Sequence, residues 1–154
     1  HVKIMCCLER ILKNMERKFI NRFYSYCNCL KDFSEAKNRD VTDSFVLSGT
    51  INKFSLTFDL SWKVMKDILV QYYGVSDFVA GSPRETLKSA YKVDLIFDDT
   101  WMEMLKIRNE LTHDYDAKLA EKYVRRIIDE FIDLFWQFKD KVDALLSDME
   151  ERIE

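Results

Sequence analysis

The sequence predicts an all-α fold, an antiparallel up-down bundle of about five helices, and two observations support this class. The 154 residues contain only one proline and three glycines, so few residues interrupt a helix. Apolar residues recur at spacings of three and four along most of the chain, and no segment alternates in the way a half-buried strand does. A chain of this length can bury a sizeable core, so residues 1–154 are expected to form a single helical domain.

The apolar periodicity divides the chain into five predicted helices. They cover about 3–37, 43–73, 83–93, 100 to between 113 and 116, and 117–149. Gly74 is expected to end the second helix, because glycine readily adopts the left-handed conformation that follows many helices. Ser82 and Pro83 are expected to begin the third, since serine caps a helix and proline suits its first position. Thr100 and Glu103 form a capping-box pattern at the start of the fourth.

The last predicted helix has the most regular apolar stripe in the chain. Its members are spaced by three and four residues in turn: Ala117, Ala120, Val124, Ile127, Phe131, Leu134 and Phe138. The stripe continues at Val142 after a one-residue shift. A seam of this length packs lengthwise against other helices, and any apolar surface left over favours a homodimer.

Composition limits the classes of partner and the compartment. The net charge of −3 excludes a strongly basic nucleic-acid-binding surface over the whole protein. Basic residues cluster on the first helix, either as a phosphate-facing patch or as a solvated face: Arg10, Lys13, Arg17, Lys18 and Arg22. No apolar run approaches the roughly 20 residues that span a bilayer, and the first twenty residues lack a signal-peptide core. We therefore expect a cytoplasmic protein without membrane association.

Four cysteines lie near one end of the chain, at Cys6, Cys7, Cys27 and Cys29. Residues two apart on a helix point in nearly opposite directions, so Cys27 and Cys29 are poorly placed to share a metal ion. We expect reduced, mostly packed thiols rather than a metal site or a disulfide.

One segment concentrates polar groups that suit chemistry, and it lies where the fourth helix is expected to end. Asn109, His113 and Asp116 are spaced by four and three residues, so they share a face if the helix continues. Arg108 and His113 are about 140° apart around an ideal helix and do not meet within one rigid helix. They meet if the helix unwinds at His113, if Arg108 reaches round, or if two copies of the chain combine.

An arginine and a histidine together are sufficient for RNA cleavage without a metal ion. Histidine titrates near neutral pH and can transfer the proton of a 2′-hydroxyl, while arginine stabilises charge on the phosphate oxygens. No metal ligand set and no organic cofactor are expected. The alternative is structural: His113 stabilises the end of its helix, and Arg108 pairs with Glu110 or Asp114.

The pattern Arg-Asn-x-x-x-His-x-Tyr, at Arg108, Asn109, His113 and Tyr115, resembles the signature of HEPN domains. Three segments, 54–63, 81–90 and 101–109, resemble one HEPN branch, the nucleotidyltransferase substrate-binding proteins. The order and spacing of these segments also fit, and the resemblance covers about residues 50–145.

The resemblance implies a homodimer with its two motifs close together and a minimal nucleotidyltransferase encoded nearby. In the related branch such pairs resemble toxin–antitoxin modules, in which the HEPN subunit is a metal-independent ribonuclease. The nucleotidyltransferase silences it by adding AMP to the motif tyrosine, which is Tyr115 here. The implied catalytic residues are Arg108 and His113, with Asn109 and Asp116 in support.

Three hypotheses follow for the function. The chain is a ribonuclease acting on RNA, a non-catalytic subunit that binds a nucleotide or substrate for its nucleotidyltransferase, or a helical dimer whose motif only stabilises the fold.

Overall fold

The computed structural model describes residues 2–76, 81–113 and 116–153. Its elements follow in this order: α1 (Val2–Ser34), a 3₁₀ turn (Glu35–Asn38), α2 (Ser44–Tyr72), α3 (Pro83–Lys92), α4 (Thr100–His113), α5 (Ala117–Arg126), a π-helix (Ile127–Phe131) and α6 (Ile132–Ile153). The α5, π and α6 segments run on without a break and correspond to the single last helix of the sequence prediction. The described residues contain no strand, and the predicted all-α bundle is confirmed.

An aromatic core holds the bundle together. Phe54 of α2 contacts the rings of Phe33, Phe131 and Phe135, which belong to α1, the π-helix and α6. These rings are completely buried, and aromatic pairs at such distances add to the stabilisation from burial. Trp101 of α4 is also buried, and its ring meets Phe135 edge-on at 5.4 Å. The core therefore fixes α4 against the rest of the bundle.

The helix ends follow the sequence at two predicted positions and depart from it at a third. Gly74, two residues after the last residue of α2, has a φ of +65°, and the Ser82 hydroxyl accepts the backbone N–H of Glu85 at the start of α3. The expected cap at Thr100 is wrong. Asp98 takes this role, because its Oδ1 lies 2.9 Å from the backbone nitrogen of Thr100, which is already the first residue of α4.

A π-helix interrupts the predicted apolar stripe between α5 and α6. The sequence predicts a one-residue shift after Phe138, whereas the backbone accommodates its extra residue earlier, at Ile127–Phe131. A π turn widens the helix locally, and here Ile127, Ile128 and Phe131 are all buried. Most of the predicted stripe is buried, but Ala117 is exposed in the first turn of α5.

The structure also bears on the predictions about membrane association and about the cysteines. In the described part of the chain, no helix is long and apolar enough to cross a membrane. Cys27 and Cys29 are half-buried free thiols, Cys6 is an exposed one, and burial raises the pKa of the Cys27 thiol. Outside the residues left undescribed, no group of three or more histidine, cysteine or acidic side chains is arranged to hold a metal ion.

Candidate functional site

The polar motif lies on α4, which has one buried and one exposed face. The buried face consists of Trp101, Met104, Leu105, Ile107 and Leu111. Arg108 lies at the edge of this buried face, where α4 meets α2, and its side chain is 24% exposed. His113 lies on the exposed face at the last residue of the helix.

Arg108 lines a surface groove between α2 and α4, which we call the α2 groove. The groove has a volume of about 450 Å³ and is lined by Ser48, Ile51, Asn52, Ser55, Asp59, Arg108, Leu111 and Thr112. Its α2 wall is polar because Ser48, Asn52, Ser55 and Asp59 are spaced by four, three and four residues, which places them on one helical face.

The guanidinium of Arg108 is held on two sides. Its Nη2 donates to Oδ1 of Asp59 at 2.6 Å, and its Nη1 donates to Oδ1 of Asn109 at 3.0 Å. Its Nε is buried and has no hydrogen-bond partner among the described residues. Asp59 and Asn109 therefore set the direction of the guanidinium, which keeps donors available for a further oxygen ligand.

His113 lines a second groove, between α4 and α5, which we call the α5 groove. This groove has a volume of about 440 Å³ and is lined by Lys106, Asn109, Glu110, His113 and Leu119. The hydroxyl of Tyr123 on α5 donates to Oε2 of Glu110 at 2.7 Å, and this hydrogen bond raises the pKa of the Tyr123 phenol. The contact ties α5 to α4 beside the exposed imidazole.

The structure brings only some of the predicted site residues together. Arg108 and His113 line different grooves, as expected from their separation of about 140° around a helix. Asn109 stands between them, since its amide accepts from Arg108 and also lines the α5 groove. Asp116 does not extend the face of Asn109 and His113, because α4 ends at His113. Instead its carboxylate caps α5 by accepting the backbone N–H of Lys118 at 3.0 Å. Tyr115 lies outside the described residues.

Sequence reasoning did not identify Asp59 as the partner of Arg108. The structural alternative paired Arg108 with Glu110 or Asp114. Arg108 pairs with Asp59 instead, Glu110 binds Tyr123, and Asp114 lies outside the described residues. Asp59 falls within the segment 54–63 that resembles the HEPN branch, and this was the signal available. A carboxylate on α2 gives no indication by itself that it meets an arginine 49 residues later.

The two side chains offer different chemistry at separate places on α4. His113 offers an exposed imidazole for proton transfer, and Arg108 offers a fixed cation for a phosphate oxygen. An all-α bundle with this arginine and histidine on one helix is consistent with the HEPN class that the sequence motif resembles.

Comparison with known proteins gives the family. The family described as "Nucleotidyltransferase substrate binding protein like" matches residues 21–144, and the chain belongs to this family. A relative from Haemophilus influenzae, named "Probable ribonuclease HepT", is 30% identical over 117 residues. The matched region covers 72% of this chain and 80% of that relative.

Proposed function

We propose that this protein is a cytoplasmic, metal-independent endoribonuclease that works as the HEPN partner of a minimal nucleotidyltransferase in a toxin–antitoxin-like pair. Residues 1–154 act as one HEPN-type domain, and two copies form the working unit. Arg108 and His113 are the catalytic residues, and Asn109 orients Arg108. The family membership and the name of the Haemophilus relative support both the partner class and the activity.

One observation carries the proposal: Arg108 and His113 lie on different sides of α4, in two separate open grooves. A single copy therefore offers half of a site on each side of the helix. In a two-fold dimer, the α2 groove of one protomer faces the α5 groove of the other, and both residue types meet at one phosphate. This dimer explains why two residues suited to the same reaction occur on opposite faces of one helix.

The chemistry follows from the two side chains. His113 takes the proton of the 2′-hydroxyl as that oxygen forms a bond to the adjacent phosphorus. The bond from phosphorus to the 5′-oxygen breaks, and the leaving oxygen takes a proton from water. Arg108 stabilises the negative charge on the remaining phosphate oxygens, where its planar fork fits two of them. The products are a 2′,3′-cyclic phosphate and a free 5′-hydroxyl.

Control is exerted at Tyr115, two residues after His113 in the sequence. The nucleotidyltransferase joins the Tyr115 oxygen to the α-phosphate of ATP and releases pyrophosphate. The added AMP brings a bulky anion close to the catalytic histidine, which excludes RNA by charge and by volume.

RNA cleavage with EDTA present tests the proposal. Purified protein is compared with the Arg108→Ala and His113→Ala variants on several RNAs, including tRNA, and circular dichroism checks the folding of each. Cleavage by wild type that leaves cyclic-phosphate ends, with a loss of about a hundredfold or more in each variant, is expected. No cleavage by folded, unmodified protein on any RNA contradicts the proposal.

A second function, a non-catalytic nucleotide-binding subunit, is favoured by the polar lining of the α2 groove. Its serine and asparagine side chains suit a ribose or a base edge, and about 450 Å³ falls within the range of small-molecule sites. Calorimetric titration with ATP separates the two functions. Binding that Asn52→Ala weakens, in a protein that cleaves no RNA, favours the binding subunit.

A further inference from the structure

Lys106 lies on the exposed face of α4 beside the candidate catalytic histidine. It precedes His113 by seven residues, so the two side chains leave the helix within about 20° of each other. Both line the α5 groove, with the amide of Asn109 on the same side and the apolar side chain of Leu119 opposite. The groove thus joins an ammonium group, an imidazole, an amide and an apolar wall.

The carboxylates nearest to Lys106 on α4 are engaged with other partners. Glu103 is bound by Arg126 of α5, and Glu110 accepts the hydroxyl of Tyr123. Lys106 has no ion pair with any residue that the structure describes, whereas Lys37, Lys53, Lys88 and Lys139 each form one. Its charge is therefore available to an external anion.

The lining of the α5 groove contains one cation, Lys106, and one carboxylate, Glu110. Glu110 is the acidic residue in the lining, and it leaves the helix on the side of Lys106 away from Asn109. Its hydrogen bond to Tyr123 holds it towards α5. Because one carboxylate oxygen of Glu110 already accepts the Tyr123 hydroxyl, the Lys106 ammonium keeps its donors for an anion that enters the groove.

The distance along α4 decides which phosphate the lysine contacts. Seven residues of helix rise by about 10 Å, which is more than one phosphate group spans. An ammonium that far from the imidazole reaches a neighbouring phosphodiester of the same RNA strand. The scissile phosphate is left to Arg108 and His113.

We propose that the α5 groove binds the RNA strand next to the cleavage point and that Lys106 holds the flanking phosphodiester. This inference rests on the proposed ribonuclease function and adds a substrate-binding residue to it. The contact contributes to RNA binding and not to the chemical step. Its loss raises KM and leaves kcat nearly unchanged.

The test measures binding and cleavage separately. Fluorescence anisotropy follows a labelled 2′-O-methyl oligonucleotide, which the protein cannot cleave, at several salt concentrations. The variants are Lys106→Gln, Lys106→Arg and, as a matched control, Lys31→Gln, an exposed lysine on α1 that lines neither groove. Cleavage of the 2′-hydroxyl form of the same sequence is measured on the same preparations.

Lys106→Gln is expected to weaken binding about fivefold and to reduce the slope of log K against log salt by about 0.7, the value for one phosphate contact on a single strand. Lys106→Arg and Lys31→Gln are expected to bind like wild type. Equal affinity and equal slope for Lys106→Gln and wild type would overturn the inference, as would a wild-type protein that does not bind the oligonucleotide. Cleavage by wild type reports independently on the ribonuclease function, so the two failures are distinguishable.

Discussion

Arg108 on α4 and Asp59 on α2 form an ion pair, with Nη2 of the arginine 2.6 Å from Oδ1 of the aspartate. Both side chains are partly exposed, at 24% and 31%, so water screens their attraction. Pairs of this kind contribute about 0–1 kcal/mol to stability. The main effect of the pair is therefore geometric: it fixes the direction of the guanidinium at the edge of the α2 groove.

Removing the Asp59 carboxylate is expected to reduce activity much more than stability. In Asp59→Ala, Arg108 loses its anchor on α2, and the rate of RNA cleavage should fall about tenfold because a misplaced cation stabilises the phosphate poorly. The free energy of unfolding should change by less than about 1 kcal/mol. Steady-state kinetics and urea denaturation measure the two effects.

The matched control for Asp59 is Asp32→Ala, which removes an aspartate from the exposed pair that Asp32 forms with Lys53. This variant should keep full activity. A fully active Asp59→Ala protein would show that Arg108 needs no anchor on α2.

The buried ring of Trp101 is expected to be a large contributor to stability. It is 2% exposed and packs edge-on against Phe135 and Phe138. Trp101→Ala should lower the free energy of unfolding by about 3–5 kcal/mol, because it removes buried apolar area and leaves a cavity. Phe45 is 88% exposed, and Phe45→Ala should change the free energy of unfolding by less than about 0.5 kcal/mol. If chemical denaturation showed that Trp101→Ala and Phe45→Ala lower the free energy of unfolding equally, this would contradict the placement of Trp101 in the core.

The start of α4 is expected to lose stability in acid through Asp98. Hydrogen bonds from the side chain and backbone of Thr100 hold the pKa of Asp98 below its usual value. The stabilisation is present above the unfolded pKa of about 3.9 and disappears as the pH falls through the lower folded pKa. The difference in melting temperature between wild type and Asp98→Ala should be largest at pH 7 and should shrink as the pH falls below about 4 and through the lower folded pKa.

Asp98→Asn provides the control for this titration, because asparagine keeps an acceptor oxygen and has no charge to lose. The difference in melting temperature between Asp98→Asn and Asp98→Ala should not depend on pH. A difference between wild type and Asp98→Ala that is as large at low pH as at pH 7 would show that the carboxylate charge plays no part.

The sequence predicts the fold well because the signals for it are local. Three-and-four spacing marks the helices, and Gly74 and Ser82 mark two of their ends through backbone conformation and side-chain capping alone. The predicted cap at Thr100 is wrong because the capping carboxylate comes two residues earlier, at Asp98. The π turn at 127–131 is not predictable from the stripe, since it lies in the core, where Phe131 packs against Phe54 of α2.

The candidate site is predictable only in part, for the same reason. The motif on α4 and the angle between Arg108 and His113 follow from helical geometry. The partner of Arg108 does not, because Asp59 meets it only once α2 and α4 pack together. Asp116 was expected beside His113. Because α4 ends at His113, Asp116 instead caps the start of α5.

Mixing two inactive variants tests most directly whether Arg108 of one copy and His113 of another form one site. Arg108→Ala and His113→Ala proteins are mixed, unfolded and refolded together, and RNA cleavage is measured with EDTA present. Half of the dimers then contain one of each chain, and each of these has one complete site out of two. Recovery of about a quarter of wild-type activity is expected, since neither variant cleaves alone. No recovery, in a mixture shown to contain the mixed dimer, would contradict it.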